Sequence, residues 1–122
     1  MSLLQRLFSS GSSSVRSVAP DEAARLVAAG QAALVDVREA DEWAESGVAG
    51  PATLLALSDL TGARAEWTPF LAKNRDRELI LYCRSGGRSN RAAQILAAEG
   101  FRTANAGGFN DWQAAGLPVR ET

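Results

Sequence analysis

The chain has 122 residues, of which 46% are hydrophobic and 22% are charged, and its formal net charge is −1. This length and composition are typical of one globular domain, and the balanced charge argues against a nucleic-acid partner. The chain contains one cysteine and no histidine, which excludes an intramolecular disulfide, a cysteine-rich zinc site and catalysis by imidazole. Any chemistry must therefore use the thiol, carboxylates, arginines, hydroxyls or the backbone.

The first 14 residues, MSLLQRLFSSGSSS, contain many serines and no acidic residue. These are features of a transit peptide, but the apolar part is too short for a secretory signal. We favour a short amphipathic turn followed by a flexible Ser/Gly-rich tether, and the apolar residues of that turn are Leu3, Leu4, Leu7 and Phe8. Because the sequence holds no run of about 18 apolar residues, we predict no membrane span and a cytoplasmic protein.

The folded domain is predicted to span residues 15–122, and strands alternate with helices along it. Pro20 suits the first turn of the first helix and Gly30 its end, while the continuous apolar run AALVDV is typical of a strand covered on both faces. The predicted elements, in chain order, are a strand at 15–18, a helix at 20–30, a strand at 32–37, a helical turn at 39–45, a strand at 52–57, two short helices within 59–74, a strand at 78–83, a helix at 89–100, a strand at 102–106 and a helix at 109–116. This alternation predicts a three-layer α/β fold, in which a mostly parallel sheet of about five strands carries helices on both faces.

Cys83, the single cysteine, ends the clearest predicted strand and directly precedes the loop RSGGRS, after which the clearest helix begins. Ligands of parallel α/β folds bind beyond the carboxyl ends of the strands. The N–H groups of such a loop, together with the N-terminus of the helix, favour an anion. The sequence therefore predicts an anion-binding cradle around the thiol.

The composition of the loop supports a chemical function for this cysteine. Gly86 and Gly87 allow the backbone to curl with its N–H groups inward, and nearby positive charge comes from Arg84, Arg88 and Arg91. Such surroundings lower the pKa of a thiol below its usual value of about 8.5. The alternative is a buried apolar cysteine in an ordinary turn, which does not account for this combination of glycines, serines and arginines.

The remaining polar and aromatic residues are assigned structural roles. Asp36 and Arg38, at the end of a buried strand, are predicted to pair and to hold the next turn. Ser85 is assigned to the anion cradle, and Ser89 to the N-cap of the following helix. Three carboxylates are predicted to form a solvated helix face rather than a metal site: Asp41, Glu42 and Glu45. Three tryptophans are predicted to pack in the core or at the rim of a pocket: Trp43, Trp67 and Trp112.

Four segments, in this order, resemble the rhodanese family of sulfurtransferases, and specifically its single-domain members. They are LVDVRE (34–39), DEWAESG (41–47), YCRSGGRS (82–89) and GGFNDWQAAGLPV (107–119). The resemblance covers roughly 15–119. It implies that Cys83 is the nucleophile and carries a persulfide, and that no metal or organic cofactor is needed. It also implies a small anionic sulfur donor such as thiosulfate, a thiol or protein as sulfur acceptor, and a substrate-binding loop made of Arg84, Ser85, Gly86, Gly87, Arg88 and Ser89.

One segment departs from the family pattern. Where the family usually has Gly-His-Ile-Pro-Gly-Ala, this chain has SGVAGPA (46–52), with Gly47 in place of the histidine and Ala49 in place of the proline. Two other functions stay open at this point. One is a cysteine-dependent phosphatase or arsenate reductase, which uses a similar anion cradle, and the other is a non-catalytic rhodanese-like interaction module.

Overall fold

The computed structural model describes residues 15–122, and the predictions for residues 1–14 lie outside the described residues. The elements, in chain order, are β1 (Val15–Ser17), α1 (Pro20–Ala28), β2 (Ala32–Asp36), α2 (Ala40–Ser46), β3 (Val48–Ala49), β4 (Thr53–Leu54), α3 (Leu57–Leu60), α4 (Trp67–Lys73), β5 (Glu78–Cys83), α5 (Gly87–Ala98), β6 (Thr103–Gly108), α6 (Phe109–Ala114) and β7 (Val119–Arg120).

Five strands form a central parallel sheet in the order β1-β6-β5-β2-β4. The predicted α/β fold with a parallel sheet of about five strands is therefore confirmed. Strand β5 lies in the middle, and its residues from Leu79 to Cys83 are buried. Its carboxyl end consequently delivers Cys83 to the centre of one sheet edge, where parallel α/β folds bind ligands.

The residues of β5 alternate between two hydrophobic clusters, one on each face of the sheet. Leu79 and Leu81 belong to the cluster that holds residues of α3, α4 and α5. Ile80 and Tyr82 belong to the cluster that holds residues of α1 and α6. Burial of apolar area on both faces stabilises the central strand and therefore fixes the position of the cysteine loop at the carboxyl end of this strand.

The apolar segment 52–57 is not one strand, as its composition predicted. Only Thr53–Leu54 pairs with β2, and α3 begins at Leu57. The N–H groups of Leu55 and Leu57 donate to the carbonyls of Asp36 and Val37, at 3.1 and 3.0 Å. Both leucines are buried, so one apolar run contains both the end of a strand and the start of a helix. In so short a run, hydrophobic periodicity does not distinguish the two structures.

Outside the central sheet, β3 and β7 form an antiparallel ribbon that the sequence did not predict. Gly47, directly before β3, has a φ of +77°, and a Cβ there would lie 2.8 Å from the carbonyl oxygen of Arg120 in β7. A side chain at this position would collide with backbone. The glycine that replaces the family's histidine is therefore required by the way the ribbon packs here.

Candidate active site

The thiol of Cys83 lies at the carboxyl end of β5 and is 1% exposed. Leu81 pairs with Asn105 and Cys83 with Gly108, so β6 contains one additional residue at this point and the ladder is irregular. A Cβ at Gly108 would lie only 2.1 Å from the carbonyl oxygen of Arg84. The absence of a side chain at Gly108 thus lets the first residue of the loop turn back over β6.

Two hydrogen bonds hold the sulfur inside the loop. Cys83 Sγ accepts one from the backbone N–H of Gly86 at 3.0 Å and one from the hydroxyl of Ser89 at 3.3 Å. Burial raises the pKa of this thiol, but the Ser89 hydroxyl and the backbone N–H groups of Ser89, Gly86 and Ser85 outweigh it, and the net pKa is lowered. The loop therefore stabilises the thiolate through oriented dipoles.

Helix α5 begins at Gly87, and its N-cap is Gly86 in the left-handed region with a φ of +102°. The N–H of Asn90 donates to the carbonyl of Gly86 at 3.0 Å. Ser89 is the third residue of the helix and is fully buried. Its predicted role as N-cap is wrong, because the glycine turn starts the helix two residues earlier and brings the Ser89 hydroxyl to the sulfur.

Asn105 of β6 fixes the loop from behind, and sequence reasoning missed it. Its Nδ2 donates to the carbonyl of Gly86 at 3.0 Å, and its Oδ1 accepts from the Ser89 hydroxyl at 2.8 Å and from the Gly107 N–H at 3.0 Å. An amide side chain among the small residues of the segment TANAGG was the available signal. Asn105 connects the sheet to both groups that bind the sulfur.

Glu42 pairs with both arginines of the loop, so they supply less free positive charge than the sequence predicted. Both terminal nitrogens of Arg88 donate to the carboxylate of Glu42, at 2.6 and 2.9 Å, and Arg84 lies 3.6 Å from the same carboxylate. The Arg88 guanidinium lowers the pKa of Glu42 to about 2, and the carboxylate in turn raises the pKa of Arg88. Arg91 lies exposed on α5.

Glu42 is consequently not part of a solvated helix face, which corrects its predicted role. Its side chain is only 14% exposed, whereas Asp41 and Glu45 on the same helix are exposed. The arginine partner that buries Glu42 lies 46 positions away. Sequence spacing along α2 could not reveal that contact.

The predicted pairing of Asp36 with Arg38 is confirmed. Arg38 is 2% exposed and donates two hydrogen bonds from Nε, and one of 2.8 Å from a terminal nitrogen, to the Asp36 carboxylate. Its terminal nitrogens also donate to the hydroxyl of Ser46 and the carbonyl of Gly47, each at 2.9 Å. The buried ion pair therefore holds the end of α2, the helix that carries Glu42.

The tryptophans pack as the sequence predicted in two cases. Trp67 and Trp112 are buried, and their indole N–H groups donate to the carbonyls of Ala56 and Pro118. Trp43 is half-buried, and its indole N–H has no hydrogen-bond partner among the described residues.

Ser85 is exposed, in contrast to Ser89. It lines a cavity of about 740 Å³ on the outer side of the loop, together with Gly86, Gly87, Asn90 and Asn105. The contribution of Ser85 to the sulfur is made by its backbone N–H. A substrate contact through its hydroxyl stays a prediction.

Residues 15–122 contain no group of three or more His, Cys, Asp or Glu side chains that could hold a metal ion. Over the same residues, every helix is too short or too polar to cross a bilayer.

Cys83 thus lies buried at the carboxyl end of the central strand of an α/β domain, next to a loop whose backbone N–H groups point to its sulfur. The family profile of the Rhodanese-like domain matches residues 19–115 of this chain. The chain therefore belongs to the rhodanese-like domain family.

Relatives and solved structures agree with this assignment. A sulfurtransferase of Allochromatium vinosum is 35% identical over 88 residues, which are 70% of this chain and 76% of that protein. The YtwF protein of Bacillus subtilis, also named as a sulfurtransferase, is 33% identical over 86 residues, 70% of this chain and 77% of its own.

The structure of a human single-domain sulfurtransferase is 30% identical and superposes with a TM-score of 0.65, covering 80% of this chain and 95% of that one. A rhodanese-related protein of Thermoplasma volcanium is 25% identical, with a TM-score of 0.72, and covers 88% of this chain and 99% of that one. The chain is thus a rhodanese-type sulfurtransferase by homology.

Proposed function

We propose that the protein transfers sulfane sulfur from thiosulfate or a persulfide donor to a thiophilic acceptor through a persulfide on Cys83. The observation that carries this proposal is the buried Sγ, which accepts hydrogen bonds from the Gly86 N–H and the Ser89 hydroxyl. These donors stabilise a thiolate before reaction and a terminal sulfur anion after it. A thiolate with a lowered pKa needs no general base, so the lack of histidine is no obstacle.

The reaction has two transfers of one sulfur atom. In the first, the Cys83 thiolate attacks the outer sulfur of thiosulfate, a new S–S bond forms, and the electron pair of the broken S–S bond leaves with sulfite. In the second, an acceptor such as cyanide or a thiolate attacks the outer sulfur of Cys83–S–S⁻ and releases the original thiolate. No electron is gained or lost overall, and neither step needs a metal or an organic cofactor.

The residues of the loop divide this work between backbone and side chains. The N–H groups of Ser85, Gly86 and Ser89, which already act on the thiol, bind the negative sulfur in each state. Gly87 is the first residue of α5, and a Cβ at this position would meet open space. Arg84 is 67% exposed and lies 3.6 Å from Glu42, and Arg88 is hydrogen-bonded to the same carboxylate, so Glu42 offsets part of the positive charge of both arginines.

Incubation with thiosulfate followed by measurement of the intact mass tests the proposal. We expect a mass increase of one sulfur atom that cyanide removes as thiocyanate. Cys83→Ser, which changes the size of the side chain little but removes the nucleophile, is the control and should gain no sulfur. Substantial thiosulfate:cyanide activity in that variant would overturn the mechanism.

A phosphatase or arsenate reductase would use a similar cradle, but the loop disfavours it. Four residues separate Cys83 from Arg88, whereas the cysteine phosphatases with which it could be confused have five, and one residue adds up to about 3.5 Å of chain to the ring. Arg88 is also committed to Glu42, at 2.6 Å, and is not free to clamp a phosphoryl group. We expect negligible hydrolysis of para-nitrophenyl phosphate, and robust Cys83-dependent hydrolysis without sulfur loading would favour the phosphatase instead.

The acceptor and the location complete the proposal. A thiol or a partner protein takes the sulfur, and the presence of the nucleophile favours an enzyme over a non-catalytic interaction module. A cytoplasmic location suits this chemistry, because a single thiolate nucleophile is kept reduced there. Residues 15–122 are proposed as the functional domain.

A further inference from the structure

The carboxylate of Glu42 bridges the two arginines that flank the cysteine loop. Arg84 directly follows the thiol, and Arg88 precedes Ser89, whose hydroxyl contacts the sulfur. Glu42 lies 2.6 and 2.9 Å from the nitrogens of Arg88 and 3.6 Å from Arg84. Since both ends of the loop meet one carboxylate, Glu42 lies beside the loop.

Two carboxylates of α2 and its N-cap oppose the positive charge of the loop. Glu39, at the N-cap of α2, also acts on Arg88 electrostatically, and its carboxylate accepts a hydrogen bond of 2.7 Å from Ser58. The carboxylate of Glu42 therefore faces the guanidiniums of both Arg84 and Arg88, and Glu39 adds a second negative charge that acts on Arg88. Arg38, the other arginine near α2, is already paired with a buried carboxylate. Glu42 therefore offsets part of the positive charge that Arg84 and Arg88 offer a donor.

We propose that Glu42 selects the sulfur donor by its charge, so that the site prefers donors with one negative charge or none over doubly charged thiosulfate. Organic persulfides and thiosulfonates belong to the preferred class. This inference rests on the proposed sulfur transfer and names the donor class that it uses. The carboxylate of Glu42 repels each additional negative charge on the donor. Because the same carboxylate binds Arg84 and Arg88, these arginines are less free to offset that repulsion.

Two donors of nearly equal size isolate this effect. Thiosulfate and methanethiosulfonate present the same outer sulfur, but a methyl group replaces one charged oxygen in the second. Attack of the Cys83 thiolate on methanethiosulfonate forms the S–S bond of the persulfide, and the electron pair leaves with methanesulfinate. Because both donors produce the same persulfide, any effect of a substitution on persulfide stability cancels in the ratio of their kcat/KM values.

The experiment measures this ratio in the wild type, in Glu42→Gln and in Glu45→Gln. The amide introduced by Glu42→Gln would keep an oxygen for the Glu39 N–H, which now donates to Glu42 Oε1 at 3.2 Å, so helix α2 should persist. We expect the wild type to prefer methanethiosulfonate and Glu42→Gln to lose about tenfold of this preference, chiefly through a higher kcat/KM for thiosulfate. Glu45→Gln removes the same charge from an exposed position of the same helix and should leave the ratio unchanged.

Salt provides a second measurement that needs no variant. The preference of the wild type should fall as ionic strength rises, because screening weakens the repulsion of the dianion. Equal ratios in the wild type and Glu42→Gln, or an equal change in Glu45→Gln, would overturn the inference while leaving the sulfur transfer intact. Failure of both donors to load Cys83 would instead overturn the proposed function itself.

Discussion

Ser89 carries one hydroxyl proton, but three acceptors surround its oxygen. Asn105 Oδ1 lies at 2.8 Å, the carbonyl oxygen of Gly86 at 3.2 Å and Cys83 Sγ at 3.3 Å. A hydrogen bond to a charged acceptor is stronger than one to a neutral acceptor. The proton is therefore expected to rest on Asn105 while the thiol is neutral and to turn to the sulfur when the thiol ionises.

Replacement of Ser89 by alanine should raise the pKa of Cys83. Burial, which raises this pKa, would then be opposed only by the backbone N–H groups. Hydrogen bonds to charged groups contribute about 1.5–3 kcal/mol, so we expect alkylation by iodoacetamide at pH 6 to slow by roughly tenfold or more. The measurement is the alkylation rate as a function of pH.

Ser85→Ala is the matched control, because Ser85 acts on the thiol through its backbone N–H and not through its hydroxyl. Its alkylation profile should match that of the wild type. If Ser89→Ala also kept the wild-type profile, the Ser89 hydroxyl would have no part in stabilising the thiolate.

Strand β6 and the cysteine loop approach each other so closely that position 108 of β6 accommodates only glycine. A Cβ on Gly108 would lie 2.1 Å from the carbonyl oxygen of Arg84, which belongs to the backbone and has no flexible end to move away. The hydrogen-bonding positions of the loop are thus set by its contact with β6 as much as by its own sequence.

Gly108→Ala should displace the loop and destabilise the domain. Overpacking against fixed backbone costs typically about 1–3 kcal/mol, and urea unfolding would measure this loss. Gly87→Ala is the control for stability, since a Cβ at Gly87 would meet nothing within 4 Å. Equal unfolding free energies for the two variants would show that the contact between Arg84 and Gly108 is not rigid.

At the level of elements, the sequence predicted secondary structure best where all the signals for an element lie within the element itself. The buried run ending at Cys83 and the helix after it were located well, because their apolar residues and their glycine turn are contiguous. The segment 52–57 was assigned wrongly, since its apolar residues are buried in either conformation. The ribbon of β3 and β7 escaped prediction because two-residue strands carry no periodicity.

The same distinction holds for the candidate site. The thiol and its loop could be proposed from contiguous residues. Glu42 and Asn105 could not, because they reach the loop from positions 46 and 19 residues away, respectively. The carboxylate of Glu42 looks ordinary in sequence and Asn105 offers only a weak signal, and only the folded protein brings them to the loop.

Among residues 15–122, three ion pairs between distant positions each lower the pKa of a glutamate. The pairs are Glu42 with Arg88, Glu78 with Arg16 and Glu99 with Arg64. A carboxyl group whose pKa is lower in the folded state adds stability above its unfolded pKa. That stability is lost as the pH falls through the folded pKa.

The free energy of unfolding should therefore decrease as the pH falls below the unfolded glutamate value of 4.5 towards about 2, the folded pKa of Glu42. The more exposed pairs contribute little, because solvent screens them. Urea unfolding between pH 7 and pH 2 would measure the decrease.

Glu42→Gln should show a smaller decrease than the wild type over this range, and Glu45→Gln should behave like the wild type. An identical acid profile for all three proteins would contradict a stabilising role of the pair between Glu42 and Arg88.

The ribbon of β3 and β7 also constrains the order in which the protein can fold during synthesis. Arg120 donates to the carbonyls of Gly50 and Ala52, at 3.0 and 2.7 Å, across 70 and 68 positions. Gly47, whose carbonyl accepts from Arg38, lies directly before this ribbon. A nascent chain emerges from its amino end and makes such long-range contacts last. The segment behind α2 therefore stays without its final partners until position 120 has emerged from the ribosome, and a chain cut short before that position would have Cys83 but lack these contacts.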